Sequence, residues 1–266
     1  MDTDNVQSRE LSNIKVLMVE DFGVNQEVFK AMLENTGIKL QIVYNGSEAI
    51  KKFKNTFGNF DIIFMDVQMA EMDGYETTRG IRALPEIANA RTIPIIAMTA
   101  KNSPEDIEKC LRAGMNDYIG KPISRENVIE KIAKHTGAGK ESEIAPVVAD
   151  DTSLYAKYLP YLDIDDMEKR LGCGIDVCKM LLKDFSSQGY TEEFSRTLQN
   201  KDRFRAKEII HNIKGIASNL SLKKLHEKSV EYEQKIKNNT DNLTDIEVLK
   251  EIIRRTQEQI SDFVKE

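Results

Sequence analysis

Along residues 14–135, short apolar runs alternate with segments whose apolar residues recur at helical spacing. The runs are Ile14–Val19, Lys39–Val43, Asp61–Met65, Ile93–Met98 and Asp117–Ile119. Between and after them, helical periodicity marks Asn25–Glu34, Ser47–Phe57, Gly74–Ala83, Pro104–Ala113 and Arg125–His135. Near-continuous apolar strands imply burial on both faces, the mark of a parallel sheet. Strands alternating with helices predict a doubly wound α/β fold, which binds ligands at the carboxyl ends of its strands near a topological switch point. Residues 137–161 lose the pattern in Gly, Pro, Ser and mixed charge, and read as a linker. From Ile164 onward there is neither a strand pattern nor a proline. Leu181–Leu198, Arg203–Leu220, Leu222–Lys237 and Thr244–Val264 read as helices, and the short gaps between them predict antiparallel neighbours in an all-α helical bundle. The expected organisation is an α/β domain over 12–136, a linker over 137–161 and a helical bundle over 162–266.

Length agrees: 266 residues suit two domains at roughly 100–200 each. The net charge of −6 and the lack of a basic recognition helix argue against a nucleic-acid partner. No apolar run is long enough for a transmembrane segment, and the polar start is neither a signal nor a transit peptide. Three cysteines without framework spacing suggest free thiols in a reducing, cytoplasmic setting. Cys173 and Cys178 lack the further ligands of a zinc site and read as packing residues.

The chemistry gathers at strand ends. Glu20 and Asp21 follow the first strand, and Asp66 ends the third. In a doubly wound sheet these carboxylates converge, and their repulsion calls for a cation. Hard oxygen donors with room for water suit Mg²⁺. Thr99 ends the fourth strand and Lys121 follows the fifth. An ammonium and a hydroxyl beside a metal–carboxylate site are what a transferring phosphoryl group needs, with Asp66 as the in-line nucleophile.

Four motifs in order, VLMVED (Val16–Asp21), IIFMDVQMAEMDG (Ile62–Gly74), IIAMTA (Ile95–Ala100) and YIGKPI (Tyr118–Ile123), resemble the receiver domain of two-component response regulators and hybrid sensor kinases. The resemblance implies a five-stranded parallel sheet of order 2-1-3-4-5, with Asp66 as phosphoacceptor. It implies Mg²⁺ held by Asp21, Asp66 and the backbone carbonyl of Gln68, with Glu20 acting largely through water. Lys121 would pair with one phosphoryl oxygen and Thr99 with another, Tyr118 would be the aromatic switch, and Pro122 would follow a cis peptide. One departure is Ala70, where the family usually has proline; the regained N–H and freed φ predict a looser loop after Asp66.

The three histidines are His135, His211 and His226. His135 reads as a helix-end residue and His226 as packed or solvated. His211 points away from the apolar stripe of Ile209, Ile213, Ile216 and Leu220, on a face with Lys207, Lys214, Gly215 and Ser218. A mostly neutral imidazole there is a usable nucleophile, the lysines can attract phosphoryl oxygens, and Gly215 clears room for a partner. The run Ile210–Gly215, continued by Asn219-Leu220, resembles the core of histidine-containing phosphotransfer (HPt) domains, with Ser221 where that family often has glycine. The resemblance makes His211 a second phosphoacceptor, oriented by Lys214.

Together these readings suggest a phosphorelay protein. Its implied partners are an upstream histidine kinase and a downstream response regulator receiver, with a receiver–HPt contact inside one chain as a further option. The alternative is an interaction switch, in which phosphorylation of Asp66 controls docking of the helical module without onward transfer. No glycine-rich ATP lid is present, so kinase catalysis is not expected of this chain. The opening LSNIKVLMVED reads like the join after a kinase core. A free two-domain protein and the C-terminal part of a hybrid kinase, tethered through an N-terminal sensor, both stay open.

Overall fold

The computed structural model describes residues 11–100, 103–138, 155–200 and 202–266. It divides into two compact units, one on either side of residues 139–154. Those residues, most of the expected linker, lie outside the described residues.

In the first unit, β1 (Lys15–Val19), β2 (Lys39–Val43), β3 (Ile62–Asp66), β4 (Ile95–Thr99) and β5 (Asp117–Gly120) form one parallel sheet in the order β2-β1-β3-β4-β5. Every residue of β3 and β4 is buried, and so is β1 beyond Lys15. The edge strand β2 departs from the expected two-faced burial. Lys39 and Gln41 are exposed and only Val43 is fully covered, because an edge strand needs just one apolar face. The sheet is flanked by α1 (Gly23–Leu33), α2 (Gly46–Asn55), α3 (Gly74–Arg82), α4 (Pro104–Ala113) and α5 (Arg125–Thr136).

Helix starts follow from side chains that satisfy the first free backbone donors. Asn45, Asp73, Ser103 and Ser124 each accept a hydrogen bond from the N–H three residues on. Such caps contribute about 1 kcal/mol each. The chain leaves β1 toward β2 and leaves β3 toward β4, on opposite sides, so the switch point lies between β1 and β3. Val19 pairs with Met65 across that junction, which brings Glu20 and Asp21 level with Asp66.

The second unit is all helical: α6 (Ile164–Leu171), α7 (Ile175–Ser187), α8 (Tyr190–Gln199), α9 (Arg203–Asn219), α10 (Lys223–Asn238) and α11 (Leu243–Lys265). The single helix expected over Leu181–Leu198 is two. Gln188 caps α7, and Gly189 turns the chain at φ +63°, a left-handed conformation that glycine adopts at little cost. The last residues read as linker pack onto this unit: Tyr158 is buried, and the rings of Tyr155 and Tyr158 meet Phe263 edge-on at 5.6 and 5.3 Å.

Helix α9 packs between α8 and α10. Its expected stripe of Ile209, Ile213, Ile216 and Leu220 is buried, and so is Ile210, since two neighbours cover a wider arc than one. The turn into α10 passes through Ser221 at φ +54°, the backbone a glycine would take. A left-handed non-glycine residue costs roughly 1–2 kcal/mol. Its hydroxyl offsets this by donating to Asp166 Oδ2 at 2.6 Å and accepting from Arg170 at 2.7 Å. The helix exit therefore keeps the glycine-type turn despite the serine.

Candidate functional site

At the carboxyl edge of the sheet, Glu20, Asp21 and Asp66 offer one oxygen each, all within 4.8 Å of one another. Glu20 and Asp66 are buried, while Asp21 is half-buried. Gly74 at the start of α3 holds the Asp66 backbone in place. A Cβ there would sit 2.3 Å from the Asp66 carbonyl oxygen, so only glycine lets α3 approach this closely.

Lys121 follows β5 and reaches Asp66 Oδ2 at 2.7 Å and Glu20 Oε2 at 3.3 Å. Its cis bond to Pro122 is as expected. Glu20 also accepts from Asn25 at 2.9 Å, and the Gln68 N–H donates to Asp66 Oδ1 at 3.1 Å. Thr99 is buried at the end of β4, beside the strand that carries Lys121. Tyr118 is half-buried against the core, with the Lys131 ammonium 6.0 Å from its ring centre.

Among the described residues, the Lys121 ammonium is paired with two of the three carboxylates. Burial, with Asp66 nearby, pushes the Glu20 carboxyl up to about 8 against the pull of Lys121. Burial also pushes Asp21 up to about 6, opposed by a hydrogen bond from the Ala70 N–H. Lys121 itself is held above its ordinary value: burial opposes its charge, but Asp66 and Glu20 outweigh it. Among the described residues, the acids of the cleft thus outnumber its cations. Asp21 Oδ1 is buried and accepts no hydrogen bond, so a residue of this all-oxygen cluster carries an acceptor with no partner. A hard divalent cation such as Mg²⁺ fits that donor set.

This fit carries a pH signature. Between the ordinary carboxylate range near pH 4 and pH 8, the unfolded chain releases protons that the folded cleft keeps. Stability from these two groups is therefore present at low pH and lost as pH rises through 6 and 8. Mg²⁺ favours the ionised forms and restores it. The expected result is a Mg²⁺-induced rise in melting temperature that is small at pH 5 and grows to a plateau above pH 8. There the added stability reaches about 2.7 kcal/mol when Mg²⁺ stands at a hundred times its dissociation constant. A Mg²⁺ effect independent of pH would contradict the assignment.

In the second unit, His211 lies on the open arc of α9 with its side chain 23% exposed. Its Nδ1 is 2.9 Å from Glu233 Oε1, on α10. Lys214 Nζ donates to Glu233 Oε2 at 2.8 Å and stands 3.3 Å from His211 Nδ1. A carboxylate only accepts, so the shorter contact puts the proton on Nδ1, and Lys214 serves Glu233 rather than the ring. Burial pushes the Glu233 carboxyl up, but hydrogen bonds from His211 and Lys214 outweigh it and hold the group far below the usual carboxylate range. A Cβ on Gly215 would meet nothing within 4 Å, so internal packing does not require glycine there. Lys207 is exposed on the same helix.

Glu233 escaped the sequence reading, because it is 22 residues from His211 on another helix. The available signal was its place among Leu225, Ser229, Tyr232 and Ile236, the buried arc of α10, where a carboxylate requires a partner. His226 Nδ1 lies 3.2 Å from the Lys214 carbonyl, and His135 Nε2 lies 2.9 Å from Asp117 Oδ2 beside Lys131 and Lys134. Both are packing residues. Cys173 and Cys178 are buried with their sulfurs 3.8 Å apart. Among the described residues, Glu20, Asp21 and Asp66 form the one group of three or more acids, cysteines or histidines arranged to hold a metal ion. No helix of the described residues is long and apolar enough to cross a membrane.

A parallel sheet of this order with acids at its switch point and a lysine after β5 defines a class, and the comparisons name it. Residues 16–133 match the family described as the response regulator receiver domain, and that segment is a receiver domain. It is similar to hybrid signal transduction histidine kinase B of Dictyostelium discoideum, 39% identical over 130 residues, which are 46% of this chain and 6% of that protein. It is also similar to the osmosensing histidine protein kinase SLN1 of Saccharomyces cerevisiae, 42% identical over 118 residues, 43% of this chain and 9% of that protein. The chain thus spans less than a tenth of the length of these two relatives. Among solved structures it is similar to the receiver domain of a sensor histidine kinase from Pseudomonas aeruginosa, which holds a magnesium ion in its active-site cleft. That match is 39% identical, covers 47% of this chain and 98% of that one, and has a TM-score of 0.43.

Proposed function

We propose that this chain is a phosphorelay protein in which Asp66 takes a phosphoryl group from a phosphohistidine and His211 passes one to or from the aspartate of a receiver. The observation that carries the first half is the Lys121 ammonium, 2.7 Å from Asp66 in a cleft of carboxylates at the switch point. An Asp66 oxygen attacks phosphorus in line. The O–P bond forms as the N–P bond breaks, and the departing imidazole nitrogen keeps the bonding pair and takes a proton. Lys121 releases the carboxylate and pairs with a phosphoryl oxygen, and Thr99 hydrogen-bonds a second. Mg²⁺ held by Asp21, Asp66 and the carbonyl of Gln68, with Glu20 acting through water, would supply the charge that stabilises the equatorial oxygens. Tyr118 follows the movement of Thr99.

The helical unit is read as an HPt module. The Nδ1–H···Glu233 hydrogen bond supports this, because it fixes the tautomer and leaves Nε2 with its lone pair, the form a nucleophile needs. That pre-set ring favours onward transfer over a docking element without chemistry. The names of the relatives, hybrid histidine kinases, make a histidine kinase the expected donor and a response regulator receiver the expected acceptor. Asp66 and His211 of one chain are a further donor–acceptor pair.

The test loads the chain with a small phosphoramidate donor and follows label by its chemistry. Hydroxylamine-sensitive label appears first and depends on Mg²⁺; alkali-stable label on His211 follows. No Mg²⁺-dependent acyl phosphate would overturn the reading of Asp66. Acyl phosphate that never yields alkali-stable label would remove transfer within the chain.

A further inference from the structure

The loop after Asp66, expected to be looser at Ala70, is hydrogen-bonded at that residue. The Ala70 N–H donates to Asp21 Oδ2 at 3.1 Å, joining segments 49 residues apart. The Ala70 carbonyl accepts from the Met72 N–H at 2.8 Å, so both backbone polar groups of this residue are engaged. The next residue, Glu71, sits at φ +63°, a conformation that a non-glycine residue holds only where neighbouring contacts require it. Asp21 therefore spends one oxygen on the loop, while its other oxygen, Oδ1, is buried without a partner, and the residue brings an oxygen within 4.8 Å of those of Glu20 and Asp66.

The geometry points to the Ala70 N–H as a positioning donor for the metal site: it fixes the Asp21 carboxylate so that Oδ1 is the oxygen presented to the cation. The inference rests on the reading of this cleft as a Mg²⁺ site. The chemistry is that of an outer-sphere partner. A ligating carboxylate held by a hydrogen bond at one oxygen loses less freedom when the other binds metal, and such partners are worth about 10–100-fold in metal affinity. Proline at this position has no N–H and cannot make the bond. What separates this loop from a proline-bearing one is a donor gained by substitution, and its acceptor is a metal-site carboxylate.

Mg²⁺ binding to the full chain, measured by titration calorimetry, tests this without any phosphoryl donor. Ala70→Gly keeps the N–H and is expected to bind Mg²⁺ as the unaltered chain does. Ala70→Pro is expected to bind about tenfold more weakly. If the proline variant does not fold, amide exchange decides. The Ala70 amide of the unaltered, metal-free chain is expected to be protected, and Asp21→Ala is expected to remove that protection. Equal Mg²⁺ affinity in Ala70→Pro, or an Ala70 amide that exchanges like a free peptide, overturns the inference alone. Failure of the unaltered chain to bind Mg²⁺ overturns the site reading and this inference with it.

Discussion

Asp66→Asn is expected to abolish hydroxylamine-sensitive label on the chain, with the fold intact. The substitution keeps shape and removes the nucleophile, since an amide oxygen cannot form a stable acyl phosphate under these conditions. The amide still fits beneath Lys121 and above the Gly74 approach, so melting of the first unit should stay cooperative. Lys121→Met is the informative companion. It leaves Asp66 in place but removes the ammonium 2.7 Å from it, and the loss of such a positioned charge costs roughly 10²–10³-fold in rate. The two variants therefore differ in kind. Asp66→Asn shows no acyl phosphate at any time, whereas Lys121→Met accumulates it slowly. Measurement is by initial rate of labelling at fixed Mg²⁺. A labelled Asp66→Asn chain, with label still hydroxylamine-sensitive, would move the acceptor elsewhere.

His211→Gln should leave Asp66 labelling untouched and eliminate alkali-stable label entirely. Glu233→Gln should reduce that label rather than erase it. Glutamine can donate to Nδ1 as well as accept from it, which admits the tautomer with its proton on Nε2, where the lone pair is needed. It also removes the charge that holds Lys214 at 2.8 Å. Partners that orient a functional imidazole are worth roughly 10–100-fold, and the rate of phosphoryl uptake by the helical unit should fall by that much. Glu233→Gln behaving as the unaltered chain would reduce the Nδ1 contact to packing.

Much of this was legible in sequence, for physical reasons. The buried strands β1, β3 and β4 are covered on both faces and read as short, near-continuous apolar runs, which set among helical segments mark a parallel sheet. Glu20, Asp21, Asp66, Thr99 and Lys121 were legible because a parallel sheet brings all strand ends to one edge, so position in the pattern is position in space. The helical unit was harder. The expected helix over Leu181–Leu198 runs across Gly189, where the backbone turns and the buried face shifts from the side of Phe185 to that of Tyr190 and Phe194. Glu233 and the Ala70 N–H share another difficulty. Each acts across packed elements, on a residue 22 or 49 positions away, and spacing along the chain carries no trace of it. The N–H of Ala70 was seen as a loss of stiffness; its acceptor was not visible.

The hydrogen bond from His211 to Glu233 has a consequence for direction. It engages Nδ1, while in the proposed relay the nitrogen that bonds to phosphorus is the other one. A ring tethered in this way keeps its tether loaded or empty, so neither state has to rebuild its surroundings when the phosphoryl group arrives or leaves. With little reorganisation on either side, little is added to the barrier in either direction, and the two barriers differ only by the free energy of the transfer itself. The histidine then behaves as a reversible carrier, and net flow is set by the hydrolysis and abundance of the aspartyl phosphates at either end.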